Sequence, residues 1–82
     1  MKSSRYRNIV LGGYIREVRI ARGISTKTMV DILKISEDDY LQYESGEVSM
    51  YVEHLLIISG ILNINFKVLL NIFENARNNY WM

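Results

Sequence analysis

At 82 residues, 49% of them apolar, the chain has the length of one domain and enough hydrophobic side chains to fill a single core without staples. The absence of cysteine excludes disulfides and thiolate metal sites, and no run reaches the ~18 apolar residues that a membrane span requires. The net charge of +1 conceals a polarity. Residues 1–30 carry Lys2, Arg5, Arg7, Arg16, Arg19, Arg22 and Lys27 against Glu17 alone, whereas residues 31–53 carry Asp31, Glu37, Asp38, Asp39, Glu44, Glu47 and Glu53 against Lys34 alone.

In chain order, residues 1–7 (MKSSRYR) are polar and basic and are expected to form a loose arm ahead of a single domain over residues 8–82. The opening lacks the apolar middle region of a secretory signal, so a soluble, cytoplasmic protein is expected. From about Asn8 to Arg22, Leu11, Ile15 and Val18 recur at three- and four-residue steps, which predicts helix one, closed by Gly23. Gly12 and Gly13 each cost a helix about 1 kcal/mol relative to alanine, which allows it to start behind them. Helix two is expected to start behind Ser25 as N-cap and to reach about Leu33.

Ser36 followed by Asp39 approximates a capping box and opens helix three, which Gly46 closes. Ser49 is placed to cap a fourth helix from about Met50 to Leu62. Its broad apolar face (Val52, Leu55, Leu56, Ile58, Ile61, Leu62) predicts burial among other helices. A last helix after Asn65 carries Phe66, Leu69, Leu70, Ile72 and Phe73 and runs towards Tyr80 and Trp81. With apolar residues on more than one face, it either covers the base of the domain or supplies a dimer contact through Leu70, Phe73, Tyr80 and Trp81. Without proline or strand-like alternation, the fold class expected is all-α, with about five short helices.

The stretch from Ser25 to Gly46 reads as two short helices joined by a tight turn, a helix-turn-helix. Its second helix would present Glu37, Asp38, Leu41 and Gln42 outward. A basic face is the usual footprint of nucleic-acid binding, and an acidic one suits basic protein surfaces. Carboxylates in a first turn also favour the positive end of the helix dipole by roughly 0.3–1 kcal/mol each, whatever else they do. Enzymatic chemistry is not expected: His54 is the lone histidine, Asp38 and Asp39 are neighbours on one short helix rather than a facing pair, and glycine motifs that cradle phosphate are absent. No cofactor or metal is expected.

The residues from about Leu11 to Leu70 resemble the lambda-repressor-like, Cro/C1-type helix-turn-helix domains of the XRE family. The resemblance is carried by IREVR and RGIS at the first helix and its turn, by the bihelical unit ending in ESG, and by HLLIISGILNINFKVLL at the closing helices. It implies a pair between Arg19 and Glu44 as a structural salt bridge. It also implies contacts to bases and phosphates by Ser36, Glu37, Asp38, Asp39 and Gln42. Two departures stand out. Lys34 occupies the turn position where such domains most often have glycine, and the central reading positions are carboxylates.

Two functions follow as expectations. In one, a dimeric regulator binds palindromic double-stranded DNA, with Thr26 and Lys27 on phosphates, Gln42 with Glu37 or Asp38 at base edges, and the Lys2, Arg5, Arg7 arm on the backbone or in a minor groove. In the other, the same fold is a protein-binding module that sets its acidic third helix against a basic partner, with weak or no DNA binding.

Overall fold

The structure is a computed structural model that describes the backbone of residues 3–81 and the side chains of residues 5–76. It is all-α, as expected. Five helices follow in order: α1 (Ser3–Ala21), α2 (Thr26–Leu33), α3 (Glu37–Ser45), α4 (Val52–Leu62) and α5 (Phe66–Trp81). No single helix among the described residues is long and apolar enough to cross a membrane, and α4 meets α5 at a bend of 119°.

The long first helix organises the packing, resting on α5 along one side and on α3 along another. Leu11 and Ile15, one turn apart, enter a core shared with Met29 and Leu33 of α2, Tyr40 and Tyr43 of α3, Ile58 and Leu62 of α4, and Leu69 of α5. Helix α4 is less central than its composition predicts. It buries Leu55, Ile58, Ser59 and Leu62 and packs Ile57 and Ile61 against the core, but leaves Val52 and Leu56 exposed on its remaining side.

The predicted loose arm is also corrected. Helix α1 already begins at Ser3, so Arg5 and Arg7 lie within it, while Lys2 falls outside the described residues. The reason is tertiary: the guanidinium of Arg7 lies 4.6 Å from the centre of the Phe73 ring, which fastens the start of α1 to α5.

Helix α1 runs through Gly12 without interruption, because the missing side chain is what the packing requires. A Cβ at Gly12 would stand 2.2 Å from the carbonyl oxygen of Tyr43 and 2.6 Å from that of Glu44. The two helices therefore cross with backbone nearly touching backbone. Nothing lies within 4 Å of a Cβ built at the adjacent Gly13. Ser49 does not cap α4 either. Tyr51 holds the N-cap position with no side-chain bond, and Ser49 Oγ accepts from Asn8 Nδ2 at 3.0 Å, tying the loop to α1.

Candidate nucleic-acid interface

The two central helices are set by local chemistry. Ser25 Oγ accepts from the Thr28 amide and Ser36 Oγ from the Asp39 amide, both at 3.1 Å, so each helix start has an orphan donor satisfied. Between them Lys34 takes the left-handed conformation, φ 61°, and its amide closes α2 on the Val30 carbonyl at 2.7 Å. A side chain is tolerated in a place that suits glycine, at the cost of some backbone strain.

The C-terminal half of α3 is locked. Arg19 Nε meets Glu44 Oε2 at 2.6 Å and Nη2 meets Oε1 at 3.2 Å, a forked pair buried between α1 and α3. A third nitrogen, Nη1, donates to the Ile24 carbonyl at 2.9 Å, which fixes the turn into α2. The Tyr40 hydroxyl donates to the same Glu44 Oε2. Burial first, and the neighbouring Glu44 carboxylate second, hold the Tyr40 phenol far above its ordinary range; the hydrogen bond to Glu44 raises the Arg19 pKa as well. The predicted Arg19–Glu44 pair is thus present and larger than a pair.

The N-terminal half of α3 is open. Glu37, Asp38 and Asp39 are exposed, Leu41 is 44% exposed, and Gln42 is half-buried. The expected phosphate contacts on α2 already have carboxylate neighbours. Thr26 Oγ1 donates to Glu37 Oε2 at 3.0 Å, and Lys27 Nζ lies 3.1 Å from Asp31.

Three arginines of the basic first third have partners within the fold, although only Arg19 among the described basic residues there is buried. Arg19 is buried against Glu44, Arg22 donates to the Leu62 carbonyl, and Arg7 covers Phe73. Among the described residues of α1, Arg5 and Arg16 remain as exposed cations with no such bond. The Arg19–Glu44 pair withdraws one charge of each sign from the surface, while Arg22 at the Leu62 carbonyl and Arg7 over the Phe73 ring keep their positive charge.

Sequence reasoning missed a groove of about 350 Å³ beside α3, lined by Asp39, Gln42, Tyr43, Val48, Tyr51 and His54 among others. His54 Nδ1 lies 2.6 Å from the Tyr43 hydroxyl, and its ring meets both Tyr43 and Tyr51 edge-on. Burial pushes the Tyr43 phenol up, with the Asp39 charge acting in the same direction. No local spacing links Tyr43 to His54, since they sit on separate helices.

The expected dimer residues divide. Leu70 is 43% exposed, Phe73 is half-buried beneath Arg7, and the side chains of Tyr80 and Trp81 lie outside the described residues. Leu70 and Phe73 share a cleft of about 170 Å³ with Leu11, Val52 and Leu55, and it is mostly apolar. Among the described residues, no three acidic or histidine side chains converge to hold a metal ion. In comparisons with known proteins, the chain matches no family model, no curated protein and no solved structure.

Proposed function

We propose that the chain is a small DNA-binding transcriptional regulator of the Cro/C1 helix-turn-helix type that places α3 in the major groove as a twofold dimer. The observation that carries this reading is the contrast within α3: an exposed N-terminal turn projected by a C-terminal half that Arg19, Tyr40 and Glu44 hold rigid. Thr26 and Lys27 are assigned to phosphates. Their present partners are exposed, and such surface pairs are worth only about 0–1 kcal/mol, so phosphate can displace them. Gln42 suits adenine, and Glu37, Asp38 or Asp39 can accept from the cytosine amino group, beside the Ser36 cap. Carboxylates there weaken binding to DNA in general and leave the favourable base contacts to discriminate, so affinity is exchanged for selectivity. The apolar surface at Leu70, Val52 and Leu56 is assigned to the dimer, which would set the reading helices roughly 34 Å apart.

Selection from a pool of random duplexes at about 50 and about 200 mM salt tests this, with the solution mass measured alongside. A palindromic site containing cytosine opposite α3, a dimer mass and loss of binding at the higher salt are expected. No retention at the lower salt removes the reading.

A second reading is favoured by a separate observation, the carboxylates that face Thr26 and Lys27 together with the groove beside Asp39. In it the α3 surface takes a basic protein partner, and DNA binding is weak or absent.

A further inference from the structure

We propose that the groove between α3 and the loop leading into α4 receives an arginine side chain from a basic, extended segment of a partner protein. The inference deepens the second reading and is independent of the first. At about 350 Å³ the groove lies at the small end of ligand sites, roughly 300–1,000 Å³, which suits one long side chain. Its rim offers what a guanidinium selects: the exposed Asp39 carboxylate, the Gln42 amide, and the ring of Tyr51, a residue 72% exposed. Among the described residues, no lysine or arginine lines it.

On the inner wall the Tyr43 hydroxyl and His54 Nδ1 are already engaged with each other at 2.6 Å, so the recognition falls to the rim. Asp38, Glu47 and Glu53, next in sequence to the groove and its loop, are exposed carboxylates that would draw in a cationic chain and repel phosphate. Arginine is specified over lysine because a planar fork stacks on tyrosine and pairs with a carboxylate through two bonds, which an ammonium does not.

The test uses the full chain and two labelled short peptides, one alternating arginine with serine and one alternating lysine with serine, followed by fluorescence anisotropy near physiological salt. The arginine peptide is expected to bind more tightly by about fivefold. Asp39→Asn should weaken it by about tenfold and Tyr51→Ala by about threefold. Both side chains are exposed, and unchanged melting temperatures would show that the variants fold. In solution spectra, the Gln42 side-chain amide and the His54 ring should shift on binding.

Equal affinity for the two peptides, or indifference to both substitutions, would reduce the effect to diffuse charge attraction and overturn the proposal. Shifts confined to other parts of the chain would do the same. Retained DNA without peptide preference removes only this proposal; peptide preference without retained DNA removes only the first reading.

Discussion

The two ends of α3 obey different rules. Its C-terminal end is tied down: Glu44 accepts from Arg19 and from Tyr40, and Gly46 donates to the carbonyls of Gln42 and Tyr43. At its N-terminal end three carboxylates face water, and among the described residues only Glu37 of the three has a side-chain partner, the Thr26 hydroxyl. The first end decides where the helix is, and the second decides what it can meet. Stability measurements should therefore respond to one end and binding measurements to the other.

Arg19→Ala is the largest expected break. It strands the buried Glu44 carboxylate and frees the turn at Ile24, and removal of one partner from such a pair costs about 3–5 kcal/mol. For a domain of this size each kcal/mol corresponds to roughly 4–8 °C in melting temperature. A fall of only a few degrees would mean that the locked end is not locked by this network.

Gly12→Ala attacks the same end from the other helix. The added methyl meets the Tyr43 and Glu44 carbonyls, rigid backbone that can yield only if α1 and α3 move apart, and overpacking of this kind costs about 1–3 kcal/mol. Gly13→Ala is the internal control. With open space around it and a helical backbone, it should add about 1 kcal/mol of stability in a urea titration. Equal responses at the two glycines would show that the crossing is looser than the geometry indicates.

These two glycines mark the limit of what the chain reveals when read as a string. Ser25 and Ser36 as caps were legible from local chemistry, whereas the special turn at Lys34 and the junction of Arg19 with Glu44 were legible only through the resemblance of residues 11–70 to a known helix-turn-helix pattern. Gly12 looked like a weak point in a helix, since the carbonyls that require it come from a segment more than thirty residues away. The start of α1 was missed for a related reason: Arg7 is polar, and only its position over Phe73 makes it part of the packing. Breadth of the apolar face misled in α4, where Val52 and Leu56 remain in solvent. At the candidate site, the acidic residues and Gln42 were legible one by one, but the Tyr43–His54 bond and the groove it backs depend on how α3 and α4 come together.

Alkaline titration separates the ends without touching the acidic surface. The Tyr40 phenol is raised well above its ordinary value of 10.0, so its contribution to stability is fully present below pH 10 and is lost as pH rises beyond it. Tyr43 acts in the same direction. Above pH 10 the unfolding free energy of the native chain should fall by up to about 1.4 kcal/mol per pH unit on account of Tyr40. The slope, rather than the level, is the readout. Tyr40→Phe starts from lower stability, having lost the bond to Glu44, but should show a shallower alkaline decline than the native chain. Parallel declines in the two proteins would place the alkaline sensitivity elsewhere.

Glu37→Gln probes the open end and should have the smallest effect on folding. The carboxylate sits in the first turn of α3, where its charge favours the helix dipole by about 0.3–1 kcal/mol at most, and Ser36 still caps the helix after the change. The amide can still accept from Thr26, so the change removes charge more than contact. Affinity for random duplex DNA should nevertheless rise, by several fold for one unit of repulsion withdrawn a few ångström from phosphate, within a Debye length of about 8 Å. A stability loss above about 1.5 kcal/mol would exceed what an exposed first-turn charge supplies and would make this end structural too. An unchanged melting temperature with raised duplex affinity would show that the acid is kept at the surface for what it excludes rather than for the helix it starts.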